Sequence, residues 1–152
     1  MRKDPTSSTK LQDILSLLKN AIERIDKKLS IEYALLFGSY ARGEQRNYSD
    51  LDVAVKFKSS NNCIMRAGKL SQELSDLLGK DVNVVPINIS DTILKYEIYT
   101  NGIIILCRDI EKYYDDKLNA VDEYLDFKEL FEKHYRRVLK EIKGCKNAIS
   151  RG

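Results

Sequence analysis

With 152 residues, 43% of them hydrophobic and 32% charged, the chain has the makeup of an ordinary globular domain, long enough to bury a core and unlike disordered or fibrous sequence. No apolar run approaches the roughly 18 residues that a bilayer span needs, and a net charge of +3 is too mild to announce direct nucleic-acid binding. Cys63, Cys107 and Cys145 are scattered and the one histidine is His134, so neither a zinc site nor a disulfide framework is expected; the thiols read as buried or half-buried filler.

Met1 to Thr9 has no apolar stretch of the signal-peptide kind, which points to the cytosol. Ser7-Ser8-Thr9 offers capping oxygens, and Leu11, Ile14, Leu15, Leu18, Ile22 and Ile25 then recur every three or four residues, predicting a helix to about Lys28. Tyr33 to Phe37 reads as a buried strand ended by Gly38; Gly38 to Gly43 reads as a tight turn into a short helix, and Glu44 to Ser49 as a polar loop in which Tyr48 packs. Asp50 to Phe57 alternates around Leu51, Val53 and Val55, giving a second strand. A helix carrying Cys63, Ala67, Leu70, Leu74 and Leu77 ends at Gly79. Asp81 to Ile87 is a third strand, closed by Pro86-Ile-Asn88. Ser90-Asp91 caps a helix through Tyr99, and Asn101-Gly102 turns into a fourth strand, Ile103 to Cys107. Beyond Arg108 the pattern is helical almost to the end, with a bend expected near Asp126, where the apolar stripe changes register. The alternation predicts one α/β (α+β) domain over residues 1–152: a mixed sheet of about four strands flanked by helices, with a long helical C-terminus.

Chemistry concentrates between Gly38 and Asp52. Gly38 lets the chain turn sharply off a strand and lets a ligand approach the backbone. Ser39 opens a helix, where free N–H groups suit a phosphate. After ten intervening residues, Asp50 and Asp52 lie two apart on a strand, so both carboxylates leave the same face. Two such carboxylates repel unless a cation lies between them, and a hard cation such as Mg²⁺, arriving with substrate phosphates, is the natural partner. Either half alone is common turn chemistry. Their conjunction is what points to phosphoryl or nucleotidyl transfer.

The string Gly38-Ser-Tyr-Ala-Arg-Gly43, followed by Ser49-Asp-Leu-Asp52, resembles the signature of the DNA polymerase β-like nucleotidyltransferases, and in particular the minimal nucleotidyltransferases that act as antitoxins in HEPN/MNT toxin–antitoxin modules. The likeness extends through Leu78-Gly79, Asp81 to Val85, Tyr96-Glu97, Gly102 and Tyr124-Leu-Asp126. It implies transfer of AMP from ATP, with Mg²⁺, to a tyrosine of a cognate HEPN ribonuclease toxin. By the same resemblance Gly38 and Ser39 hold the triphosphate, Asp50 and Asp52 bind metal, and Arg42 reaches phosphate or partner, its competing reading being a surface ion pair.

One position departs from that pattern. The superfamily places a third carboxylate on the next strand, and the alignment puts Asn83 there; its amide can offer a metal an oxygen but no charge, and it is no general base. Asp81, two residues away on the same face, is the candidate substitute, displaced by about 6–7 Å along the strand. Two alternatives therefore stand beside the enzyme: a non-catalytic antitoxin that masks the toxin by contact, and a small-molecule transferase of the aminoglycoside type. The toxin itself is excluded, because its Arg-x₄-His-x-Tyr motif would need arginine five residues before His134, where Glu129 stands. Finally, Lys133, Arg136, Arg137, Lys140, Lys143, Lys146 and Arg151 face one acid, Glu141; the run reads as a solvated helix face or a surface for an acidic partner.

Overall fold

The computed structural model describes residues 5–44 and 50–150, with side chains described for 10–44 and 50–146. Its elements are α1 (Pro5–Ile25), β1 (Ile31–Phe37), α2 (Ser39–Arg42), β2 (Leu51–Phe57), α3 (Cys63–Leu78), β3 (Val82–Pro86), a 3₁₀ turn (Ile87–Ile89), α4 (Thr92–Asn101), β4 (Ile103–Cys107) and α5 (Ile110–Ser150). The order matches the alternation read from the sequence. The loop from residue 45 to Ser49, with the packing expected of Tyr48, lies outside the described residues.

The strands form one mixed sheet in the order β3-β2-β1-β4. β1 runs antiparallel to both β2 and β4, and β2 runs parallel to β3. Both faces are covered, which is why β1 reads as a continuous apolar run instead of an alternation. On one face Leu18, Ile22, Ala34, Leu36, Val53, Val55, Leu70 and Leu74 pack between the sheet and the helices α1 and α3. On the other, Tyr33, Leu35, Ala54, Ile98, Tyr99, Tyr113 and Ala120 pack against α4 and α5.

Local departures from expectation have physical causes. α1 starts at Pro5, so Ser7-Ser8-Thr9 lie within the helix and do not cap it; proline is well suited to a first turn. It stops at Ile25, short of Lys28, because Asp26 turns its carboxylate to the next segment, accepting from Ser30 N, Ser30 Oγ and Ile31 N at 3.1, 2.8 and 2.9 Å. β3 is shorter than predicted, since Pro86-Ile-Asn88 leads into the 3₁₀ turn. Asp91 caps α4 through Leu94 N, as read from the sequence. α5 passes Asp126 as one uninterrupted helix, so the change of register marks where the helix loses its neighbours. Cys63 is buried and Cys107 half-buried, but Cys145 is exposed on α5, against the filler reading. Among the described residues no helix is long and apolar enough to cross a membrane.

Candidate active site

The site forms where β1 ends and β2 and β3 begin. Phe37 pairs with Asp52 across the β1–β2 ladder, so Gly38, one residue on, arrives beside that carboxylate. Its backbone has φ 75° and ψ −150°, a conformation open essentially to glycine alone. A Cβ added there would meet Asp52 Oδ2 at 2.3 Å. The glycine is therefore required twice, for the turn and for room beside the acid.

Ser39 opens α2, whose Arg42 N–H returns to the Gly38 carbonyl at 3.2 Å. A four-residue helix has little macrodipole, so an anion here would be held mainly by local N–H groups and the Ser39 hydroxyl. Tyr40 is buried beneath this turn, its hydroxyl meeting Lys80 Nζ, which also lies 4.4 Å from the ring centroid. That buried anchor was missed from the sequence, since a tyrosine inside a glycine-rich turn carries no periodic signal.

On the other side of Asp52, register pairs it with Asn83. The Asn83 amide nitrogen donates to Asp50 Oδ2 and to Asp52 Oδ1, both at 3.3 Å. Asp50 and Asp52 thus share one face, as their spacing predicted, and Asn83 joins them at the position the family resemblance gave it. The orientation of Asn83 differs from the reading that gave its oxygen to a metal: the NH₂ group bridges the two acids and relieves part of their repulsion. Rotating the amide by half a turn would present its oxygen instead. Two carboxylates and an amide oxygen are a hard donor set and fit a divalent cation. Asp81 stays out of this cluster. No group of three acidic, histidine or cysteine side chains among the described residues is placed to hold a metal, and the Asp81 carbonyl is engaged by Leu51 N–H at 3.0 Å.

Arg42 takes the ion-pair alternative. Its Nε donates to Glu44 Oε2 at 3.0 Å and its Nη1 to Glu97 Oε1 at 3.3 Å, with its side chain 44% exposed. Glu97 lies 55 residues away on α4, a partner no local pattern announces.

A glycine turn beside a pair of strand-borne aspartates, on a mixed sheet of this order, defines a nucleotidyltransferase. The chain belongs to the polymerase β nucleotidyltransferase family, whose profile matches residues 19–111. A relative from Methanocaldococcus jannaschii that carries a protein adenylyltransferase name is 35% identical over 89 residues, 59% of this chain and 95% of that one. The protein adenylyltransferase MntA of Shewanella oneidensis is 36% identical over 89 residues, a match spanning 59% of this chain and 59% of MntA. In fold, the chain resembles one from a solved complex of a tri-AMPylated Shewanella oneidensis HEPN toxin with an MNT antitoxin, at TM-score 0.61 and 20% identity, over 88% of this chain and 98% of that one.

Proposed function

We propose that this chain, acting as one minimal domain in the cytosol, transfers AMP from ATP to a tyrosine of a cognate HEPN-family ribonuclease toxin and so silences it. The observation that carries this reading is the position of Asp52 between Gly38 and Asn83, with Asp50 on the same face. That arrangement supplies a close-approach turn for phosphates on one side and a paired anionic seat on the other. The adenylyltransferase relatives, and the fold likeness to a chain from the complex of a tri-AMPylated HEPN toxin with an MNT antitoxin, support the choice of nucleotide and acceptor.

In chemical terms, the phenolic oxygen of the acceptor bonds to the α-phosphorus, the bond from that phosphorus to the bridging oxygen of the β-phosphate breaks, and pyrophosphate leaves. The phenolic proton passes to solvent or to a base. Gly38 and Ser39 would receive the β- and γ-phosphates through backbone N–H groups and the Ser39 hydroxyl. Asp50 and Asp52, with Asn83 turned to present its oxygen, would hold Mg²⁺. When bound, such a cation neutralises phosphate charge and makes a nearby hydroxyl easier to deprotonate. Arg42 would have to exchange Glu44 and Glu97 for phosphate, a modest cost for exposed pairs.

The reading is tested with ATP labelled at the α-phosphate and, separately, at the γ-phosphate. Label from the α position should appear on the partner and label from the γ position should not. Asp50→Asn combined with Asp52→Asn should abolish that transfer and the Mg²⁺-dependent part of ATP binding, with the fold intact by circular dichroism. Transfer that survives the double substitution would remove these aspartates from the mechanism. A second reading, neutralisation by contact alone, is favoured by one observation: the residue paired with Asp52 on β3 is Asn83, whose amide brings neither a charge nor a general base.

A further inference from the structure

On the β3 side of the aspartates lies an open groove of about 480 Å³ between α3 and the start of α4, with Asn83 at its head and Gly68, Ser71, Val84, Ile89 and Leu94 along it. β3 is an edge strand, so one row of its backbone groups has no strand to pair with. Leu51 N–H donates to the Asp81 carbonyl, which fixes the alternation: Asp81, Asn83 and Val85 turn their backbone groups to β2, and Val82, Val84 and Pro86 turn theirs away.

Two of those three outward positions are already closed. Val82 N–H donates to Ser75 Oγ at 3.0 Å, and its carbonyl accepts from the Ser71 hydroxyl. Pro86 has no N–H, and its carbonyl accepts from Ser90 Oγ at 2.9 Å. Val84 is left between them, its N–H and C=O directed into the groove without a partner among the described residues. It offers one donor and one acceptor, spaced to pair with a single residue of an extended chain.

We propose that this groove is the acceptor site: an extended polypeptide segment pairs one residue with Val84 and presents a tyrosine hydroxyl beside Asn83. The inference rests on the nucleotidyl-transfer reading and deepens it. In an in-line displacement the attacking and leaving oxygens stand on opposite sides of the phosphorus. Asp52 turns Oδ2 toward Gly38 and Oδ1 toward Asn83. Pyrophosphate leaving over the Gly38-Ser39 turn, on the β1 side, requires the nucleophile to arrive from the β3 side, where the groove begins. Its apolar rim, with Ile64 and Ile89 exposed, suits an aromatic side chain.

Gly68 supplies the test, because it lines the groove and a Cβ added there meets nothing within 4 Å, so the side chain of Gly68→Phe starts from open space at the groove wall. The probe is N-acetyltyrosine methylamide, which carries two amides and a phenol, titrated into the full ¹⁵N-labelled chain. The Val84 amide should show a saturable shift and the Gly38 amide none. In Gly68→Phe saturation should need about tenfold more probe, ~1.4 kcal/mol of binding, while ATP affinity with Mg²⁺ stays unchanged. Gly68→Ala leaves the groove open and should bind the probe as the natural chain does. Absence of a saturable Val84 shift up to the solubility limit overturns the proposal. So does an equal loss of ATP affinity in Gly68→Phe, which would give the groove to the nucleotide. Probe binding at Val84 without AMP transfer to any acceptor would count against the transfer reading alone.

Discussion

Asp52 faces two unlike neighbours: a glycine whose missing side chain makes room for one oxygen, and an asparagine whose amide reaches the other. The first neighbour predicts a sharp mutational effect. Gly38→Ala forces a Cβ to 2.3 Å from Asp52 Oδ2 and asks alanine to hold a glycine-only backbone. It should lower stability by about 1–3 kcal/mol and reduce AMP transfer far more than that loss accounts for, because Asp52 must move. Urea unfolding and transfer rates measured side by side check this; a variant that is destabilised yet transfers normally would show that Asp52 tolerates displacement. The sequence was informative about which residues meet: two-residue spacing on one strand puts Asp50 and Asp52 on the same face, and the family resemblance adds Gly38 and Asn83 to them. It was silent on which end of the Asn83 amide points inward, and on Arg42, whose partners depend on a helix 55 residues distant.

Three elements meet at Asp26, the residue just past α1. Its carboxylate accepts from the start of β1 and from Arg108 Nη1 at 2.7 Å, and Arg108, just past β4, also donates to the Ile31 carbonyl at 3.0 Å. Burial by itself pushes the Asp26 carboxyl up, but Arg108, Ser30 and Ile31 together hold it below the ordinary carboxylate value of 3.8. A group with a depressed folded value stabilises the fold at pH above its unfolded value, and that contribution fades as pH falls through the folded one. Asp26→Asn should therefore cost about 3–5 kcal/mol near neutral pH, as expected for a broken buried pair, and progressively less as pH drops below about 4. Urea midpoints of both proteins across pH 2.5–7 test the sign; a gap that stays constant into acid would deny Asp26 this role. The end of α1 was misplaced from sequence because apolar periodicity continues in pattern while Asp26 competes for the following N–H groups. The opposite sheet face was likewise only half legible. Tyr33 sits fully buried with its hydroxyl bonded to Tyr99 and to Asp116 Oδ2 at 2.7 Å, and burial pushes both tyrosines well above their ordinary value. Periodicity marks such residues as core without showing that their hydroxyls need one another. β4, bounded by Gly102 and Arg108, came out as read because its turn and its length are both local properties.

Across the whole molecule the most conspicuous feature is α5, whose 41 residues span about 60 Å at the helical rise of 1.5 Å per residue. Its first half packs through Tyr113 and Ala120 and stacks Tyr124 on Tyr96 of α4, with ring centroids 3.8 Å apart. From Phe127 onward it leaves Phe127, Phe131 and Tyr135 exposed in a row, beside Arg136, Arg137 and Lys140. Ion pairs from Lys133 to Glu129 and from Arg136 to Glu132 are exposed and contribute little. If this stretch meets an acidic partner, reversing the charge at Arg136, Arg137 and Lys140 should weaken the complex, and more so at low salt. Affinity unchanged by the triple reversal at every ionic strength would assign the cations to plain solvated surface. Asn83 stands where the superfamily carries a carboxylate, so AMP transfer at this site has to proceed without that group. The most direct measurement is mass spectrometry of the purified partner after incubation with ATP and Mg²⁺, comparing the natural chain with Asn83→Asp. A carboxylate at that position adds charge and a base, effects worth roughly 10²–10⁴-fold where general-base catalysis operates. Slow but detectable addition of AMP by the natural chain, and faster addition by Asn83→Asp, is the predicted result; toxin neutralised by both forms with AMP added by neither would contradict it.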